Sequence, residues 1–243
     1  MDGFEKFTQA ENLGLCSNGI SDLAPLEGLV KLRELNLESN RIHNLSYLKG
    51  LTGLNVLLLS ENQISDLTPL AGLTHLIALS LNQNQVADLA PLSGLTLLSD
   101  LSLEKNQITD LSALAGMNKL KHLYLADNQV RDLSALKGMD SLQTLDLTGN
   151  PLEQAQVEAL REALPNARSS FDRRSKAVVG RAAGSAGGGA VCDRFPLARV
   201  WGGCAPIGRF CRAAMGRAGA GFGNGMWNPA PFWCREGKLA HAT

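Results

Sequence analysis

The sequence predicts an α/β solenoid, with a parallel β-sheet on the concave side, short helical turns on the convex side and a C-terminal helical cap. Three observations support this fold. Asparagines recur with a period of 22 residues, an alternating leucine segment precedes each of them, and a short Asp-Leu phrase follows most of them. A repeat of this length cannot bury a hydrophobic face alone, so stacked copies must share one core.

The repeat is defined by seven asparagines that follow one another without an insertion, at Asn18, Asn40, Asn62, Asn84, Asn106, Asn128 and Asn150. Around most of them lies the pattern L-x-x-L-x-L-x-x-N-x-(I/V), shown well by Leu54, Leu57, Leu59, Asn62 and Ile64, whereas the first copy is degenerate, with Ala10 at its leading position. The L-x-L segment has the two-residue period of a strand, so its leucines point to one side. We expect each asparagine side chain to bond backbone groups that a turn leaves unpaired.

The amino-acid sequence of the repeat indicates a known family. The stretch "NQISDLTPLAGLTHLIALSLNQNQVADLAPL" resembles the 22-residue leucine-rich repeats of bacterial internalins and of the protein phosphatase 1 regulatory-subunit type. The resemblance covers roughly residues 10–171 and implies a leucine-rich-repeat solenoid. It implies no particular partner, because such repeats serve many unrelated partners.

A row of acidic residues precedes the phrase Leu-x-(Pro/Ala)-Leu, at Asp22, Asp66, Asp88, Asp110 and Asp132. Neighbouring strands would place these carboxylates about 5 Å apart, as a cation site would require. Aspartate is also a favoured N-cap of helical turns. Asn44 occupies the corresponding position of one repeat, and asparagine caps as well but removes a charge from a metal-ligand set. The pattern therefore favours capping, and predicts no metal site and no cofactor.

The residues between the leucines predict a binding surface on the concave side of the sheet. Its acidic residues are Glu34, Glu38, Glu61, Asp100, Glu104, Asp127 and Asp146, against Lys105 alone. Such a surface favours a basic protein partner and repels nucleic-acid phosphate. Apolar or aromatic residues occur in two places, and interface anchors are often aromatic. The predicted partner contacts are Glu34, Glu38, Val56, Leu58, Asp100, His122, Tyr124 and Asp146.

These features predict a non-catalytic protein–protein interaction scaffold. His122 lies near acidic residues, but no serine or cysteine nucleophile accompanies it with an orienting partner, so an enzyme is not expected. Two other functions stay open at this point. One is a secreted internalin-like adhesin or effector, and the other is a nucleic-acid-associated protein that acts through its basic C-terminal tail.

The composition divides the chain near Asp172. Residues 1–172, the predicted repeat domain, have 12 lysines and arginines against 21 aspartates and glutamates, a net charge of −9. Residues 173–243, a Gly/Ala/Arg-rich tail, have 11 basic and 2 acidic residues, a net charge of +9. Four cysteines in the tail show no Cys-x-x-Cys pair, so a zinc site is not indicated. The tail composition predicts disorder.

The segment after the last repeat predicts a helical cap. Asn150 is a suitable N-cap, Pro151 suits the first helical position, and Glu153 has capping-box spacing. Val157, Leu160 and Leu164 share one helical face that would cover the last repeat.

The ends and hydropathy of the chain indicate where it acts. No run approaches the roughly 18 apolar residues of a membrane-spanning helix, so no membrane association is expected. The start, "MDGFEKFTQAENLGL", lacks the basic-then-apolar order of a secretory signal. The expected location is cytoplasmic, whereas a further segment before Met1 would make secretion possible.

Overall fold

The computed structural model describes residues 8–171, together with the backbone of residues 233–235 and 238–240. Eight short strands form one parallel sheet in chain order: β1 (Asn12–Gly14), β2 (Glu34–Asn36), β3 (Val56–Leu58), β4 (Ala78–Ser80), β5 (Asp100–Ser102), β6 (His122–Tyr124), β7 (Thr144–Asp146) and β8 (Arg168–Ser170). The parallel sheet predicted from the leucine period is confirmed.

Two further strands lie in the C-terminal unit of the chain. β9 (Trp233–Arg235) and β10 (Lys238–Ala240) pair in antiparallel fashion. The disorder predicted for residues 173–243, and the nucleic-acid role considered for them, otherwise lie outside the described residues.

The sheet stacks equivalent residues of successive repeats. Leu57 of β3 lies opposite Leu79 of β4, which lies opposite Leu101 of β5. All three side chains are fully buried, and the leucines two positions further along are buried as well. The spacing of 22 residues therefore produces one continuous leucine core, as predicted.

The asparagines connect each repeat to the one before it. The Asn62 Oδ1 accepts the Ile42 N–H at 2.9 Å, and its Nδ2 donates to the Leu37 and Leu59 carbonyls at 3.0 Å each. The equivalent bonds recur at Asn40, Asn84, Asn106, Asn128 and Asn150. We call this series the asparagine ladder. It satisfies buried backbone groups that no strand pairs, as expected.

The residue before each of the seven repeat asparagines has a left-handed backbone. Six of these residues are not glycine, with φ of 54° to 59°: Ser17, Ser39, Glu61, Gln83, Lys105 and Asp127. This conformation costs about 1 to 2 kcal/mol for a residue with a Cβ atom. Because the residue types vary, the sequence does not indicate the left-handed turn.

The convex side consists of short 3-10 turns at Ala24–Leu26, Ser46–Leu48, Thr68–Leu70, Ala90–Leu92, Ser112–Leu114 and Ser134–Leu136. Pro25, Pro69 and Pro91 lie in the first two positions of their turns, where a missing N–H removes no helical bond. The leucine that ends each turn is buried in the core.

The aspartates belong to these turns, but each lies one residue before the N-cap, the position that the sequence predicted for it. In the third turn the N-cap is Leu67, and the Asp66 Oδ1 accepts the Thr68 N–H at 2.8 Å. Asn44 makes the same bond to the Ser46 N–H at 2.9 Å. Each aspartate thus forms an Asx turn that leads into the 3-10 turn, which is a structural role.

The contribution of these turns to the stability of the chain depends on pH. The hydroxyl and amide of Thr68 hold the pKa of Asp66 below the usual aspartate value of 3.8. The amides, then the hydroxyls, of Ser112 and Ser134 lower the pKa of Asp110 and Asp132. A lowered carboxylate pKa stabilises the folded chain above the unfolded pKa, and this stabilisation is lost as the pH falls through the folded pKa.

Changing Asp66, Asp110 and Asp132 together to asparagine is therefore expected to reduce acid sensitivity. Asparagine keeps the Oδ1 acceptor but does not titrate and lacks the charge that stabilises these turns, so the urea midpoint of the variant at pH 7 should lie somewhat below that of the wild type. Below about pH 4 the midpoint of the variant should fall less steeply than that of the wild type. Urea unfolding followed by circular dichroism across this range measures the effect, and parallel pH profiles would contradict it.

The C-terminal cap contains one helix, α1 (Gln154–Ala163), followed by β8. Val157 and Leu160, and Leu164 just after the helix, are buried as predicted. The prediction that Asn150 caps the helix is wrong. Its side chain continues the asparagine ladder, accepting the Val130 N–H at 2.9 Å, and the N-cap is Glu153, which makes no side-chain capping bond.

Candidate functional site

The concave face is formed by the strand residues that alternate with the buried leucines, aligned in two columns across the sheet. The first column contains Glu34, Val56, Ala78, Asp100, His122, Thr144 and Arg168. The second contains Asn36, Leu58, Ser80, Ser102, Tyr124, Asp146 and Ser170. Seven of the eight predicted contact residues lie in these columns. Glu38 follows β2, with its N–H bonded to the Asn36 Oδ1 at 3.0 Å.

The predicted contact residues differ in how much surface they present. Glu34, Val56, His122 and Tyr124 are half-buried. Glu38, Leu58, Asp100 and Asp146 are buried, with Leu58 only 2% exposed. The structure therefore gathers all eight residues on one side of the sheet, but the larger surfaces belong to the first four. Their role in partner contact stays a prediction.

Polar side chains in the middle of the concave face bond one another. The hydroxyls of Ser60 and Ser80 are 2.5 Å apart, and Ser102 donates to the Asn82 Oδ1 at 2.7 Å. The Asn82 Oδ1 also accepts the Glu104 N–H at 2.7 Å. These bonds join the middle repeats across the sheet, so this part of the face has a defined shape before any partner arrives.

Asp100 and His122, like Thr148 after β7, each have a buried polar side-chain atom without a hydrogen-bond partner. The Asp100 Oδ2 accepts the Ser99 hydroxyl, whereas its Oδ1 is unpaired. The Nδ1 of His122 is also buried and unpaired. The two residues lie opposite each other on β5 and β6. The sequence indicated both as candidates, but not that each leaves a buried polar atom unsatisfied.

The charge on the face is less one-sided than predicted. Strand β8, which the sequence did not predict, places the exposed Arg168 at the end of the first column, next to Thr144. Lys105 is therefore not the only base on this side. The acidic residues of the first column, Glu34 and Asp100, lie several strands away from Arg168. The acidic residues of the first column thus lie in its centre and its N-terminal half, whereas Asp146 of the second column lies on β7, next to β8.

Other kinds of site are not formed by the residues that the structure describes. Within residues 8–171, no three histidine, cysteine or acidic side chains come together as a metal ion would require. Nor does the described part of the chain contain a helix with the length and apolar character needed to cross a membrane. A cavity of about 210 Å³ lies beside the turn residues Asp88 and Asp110, away from the concave face.

Known families match the repeats directly. The family described as "Leucine rich repeat" matches residues 96–152, and "Leucine Rich repeats (2 copies)" matches residues 52–92 and 74–116. No curated protein matches the chain.

Solved structures share the fold. An internalin (inlF) from Listeria monocytogenes is 32% identical with a TM-score of 0.68, over 70% of this chain and 50% of that one. An internalin C2 (inlC2) from the same organism is 31% identical with a TM-score of 0.55, over 68% of this chain and 84% of that one. The plant peptide hormone receptor RGFR1, solved in complex with RGF2, is 25% identical with a TM-score of 0.58, over 69% and 28%.

The chain thus spans half of the internalin F structure and most of internalin C2. The 22-residue period, the parallel sheet, the asparagine ladder and these matches agree with one another. The chain belongs to the leucine-rich-repeat family.

Proposed function

We propose that the chain is a non-catalytic scaffold that binds a protein partner with a basic surface on its concave face. The observation that supports this most is the register of the sheet. It aligns acidic residues with half-buried Val56, His122 and Tyr124 on one side of the sheet. Acidic residues around an aromatic centre are suited to a basic interface.

The family supports the general part of this proposal. Leucine-rich-repeat proteins are generally protein-interaction scaffolds, since a stacked sheet presents an extended binding surface. The plant receptor with this fold was solved in complex with RGF2, an example of a leucine-rich-repeat chain with a bound ligand. The basic character of the partner proposed here rests on the acidic residues of this chain alone.

The fold is typically non-catalytic, and the concave face suits that role. His122 is the side chain best suited to proton transfer on this face, but it lies on a sheet that does not enclose a substrate. Acid–base or nucleophilic catalysis requires a nucleophile with an oriented base and a site that excludes water. A rigid binding surface requires neither.

Combining Tyr124→Ala with Asp146→Lys is expected to weaken partner binding by about tenfold or more, because it removes an aromatic contact and reverses a charge on the same column. The partner is first captured with the full chain from a lysate, identified and purified. Its affinity for wild-type and variant chains is then measured by isothermal titration calorimetry. The folding of the variant is checked by urea unfolding.

A matched control makes the same kinds of change away from the concave face. Tyr47→Ala with Asp140→Lys removes the other tyrosine of the chain and reverses one exposed acidic charge. This control is expected to bind as the wild type does. Equal affinity for all three chains would place the binding site elsewhere and refute the proposed face.

A second candidate function is an internalin-like adhesin or effector. The observation that favours it is the 31% identity to internalin C2 over 84% of that chain. Cell fractionation of the source organism, with an antibody against the repeat domain, distinguishes the two functions. Protein found in the medium or on the cell surface supports the adhesin, and protein found only inside the cell excludes it.

A further inference from the structure

We propose that Asp100 and His122 form the anchor of the concave face, where an arginine side chain of the partner binds the side chains of these two residues on β5 and β6. The juxtaposition that supports this is the pair of buried, unpaired atoms Asp100 Oδ1 and His122 Nδ1 on adjacent strands. This inference rests on the proposed function and specifies the chemistry that the face recognises.

The carboxylate of Asp100 is the main element of the anchor. Asp100 is 4% exposed, and one of its two oxygens has no hydrogen-bond partner. A buried acceptor without a donor is costly, and more so when it is charged. Nearly all buried polar groups in folded proteins are paired, so an unpaired carboxylate oxygen calls for an explanation. A donor supplied by a ligand removes this cost at the moment of binding.

His122 supplies a second acceptor next to the first. Adjacent strands lie about 4.8 Å apart, so residues in register present their side chains side by side. In the tautomer with its proton on Nε2, the imidazole Nδ1 accepts a hydrogen bond. Because the two residues are in register, we expect one group with several N–H donors to reach both acceptors.

Arginine fits these acceptors better than lysine does. The guanidinium group is planar and presents five N–H donors in a rigid fork, and it is more weakly hydrated than an ammonium group, which favours burial. Positive charge is also favoured by the surrounding acidic residues, since Glu104 and Asp146 lie on the same side of the sheet. The groups that cover the two atoms must move aside on binding, and side-chain rearrangements of this kind are common at interfaces.

The test uses the full chain and two short peptides, acetyl-Gly-Arg-Gly-amide and the same peptide with neutral citrulline. NMR spectra of chain labelled with ¹³C and ¹⁵N follow the Asp100 carboxyl and the His122 ring during titration. The arginine peptide is expected to shift both signals in a saturable manner, and the citrulline peptide is expected to bind about tenfold more weakly or not at all. Equal binding of the two peptides, or no shift with either, would overturn the proposal.

A pair of variants separates the anchor from general charge. Asp100→Asn keeps the shape of the side chain but removes its charge, and should weaken binding of the arginine peptide by about tenfold or more. Asp140→Asn removes one exposed charge elsewhere and should leave the affinity within about twofold. Because wild-type Asp100 has an unpaired buried oxygen, Asp100→Asn should unfold at the same or a higher urea concentration. A lower midpoint together with unchanged peptide affinity would assign Asp100 a structural role instead.

Other occupants of the anchor give different outcomes. If the Asp100 and His122 signals depend on protein concentration without peptide, a second copy of the chain occupies the anchor, and the partner proposal is overturned. If changing Arg173 and Arg174 to serine shifts the Asp100 and His122 signals without peptide, the basic tail of the chain is the occupant. This outcome also overturns the partner proposal. A third outcome is that the peptides fail to bind while Tyr124→Ala with Asp146→Lys still weakens binding of the purified partner. That result would overturn the anchor and leave the proposed function standing.

Discussion

Replacing Asn84 with alanine is expected to lower the free energy of unfolding by about 3 to 5 kcal/mol. The Asn84 Oδ1 accepts the Ile64 N–H at 2.9 Å, and its Nδ2 donates to the Leu59 and Leu81 carbonyls at 3.0 and 3.1 Å. Alanine leaves these backbone groups without partners in the middle of the array. Each buried group that loses its partner costs about 1 to 3 kcal/mol, so the losses at one position are large.

Asn18 provides the matched control, at the equivalent position of the first repeat and outside the ladder. Its side chain is exposed and donates to the Cys16 carbonyl at 2.8 Å, in the first repeat of the array. Asn18→Ala is therefore expected to cost less than about 1 kcal/mol. Urea unfolding followed by circular dichroism gives both values. Equal losses for the two variants would show that the internal asparagine bonds do not determine the stability of the array.

Replacing Leu79 with alanine is expected to destabilise the chain by about 2 to 5 kcal/mol. Leu79 has 0% exposure and lies between Leu57 and Leu101 in the central leucine column. Its removal leaves a cavity that the neighbouring strands cannot fill, because their spacing is set by backbone hydrogen bonds. The loss combines the transfer free energy of the removed methyl groups with the cavity term.

Ile77 tests whether this effect depends on burial. It lies two residues before Leu79 and is 39% exposed. Ile77→Ala removes a side chain of equal size from the surface, and is expected to cost less than about 1 kcal/mol. The two variants are compared by urea unfolding under identical conditions. A loss for Ile77→Ala as large as that for Leu79→Ala would contradict the assignment of the core.

The fold could be predicted from the sequence because its determinants are periodic. Each leucine of the L-x-L segment meets its equivalent in the next repeat, as the pairing of Leu57 with Leu79 shows. The asparagine bonds also follow from the period, since each reaches a group 20 or 25 residues earlier, as Asn62 does with Ile42 and Leu37. A constant spacing converts a one-dimensional pattern into a three-dimensional register without further information.

The C-terminal end could not be predicted in this way. Arg168–Ser170 contains no leucine, yet it forms β8 by pairing with the edge of β7. The Arg168 N–H bonds the Gln143 carbonyl, and the Leu147 N–H bonds the Ser170 carbonyl, each at 2.8 Å. Asn150 has the spacing of a helix cap, but the unpaired groups of the preceding repeat bind its side chain first. Both outcomes depend on neighbours that are distant in sequence.

In the candidate site, too, some features could be predicted from the sequence and others could not. The alternation of leucines with other residues was enough to assign Asp100, His122, Tyr124 and Asp146 to one face, because side-chain direction follows from the strand period. Their burial, the bonds between the serine and asparagine side chains, and the unpaired Asp100 Oδ1 depend on how side chains of different repeats meet. The backbone register is a property of the repeat, whereas hydrogen-bond satisfaction is a property of the particular side chains that the register brings together.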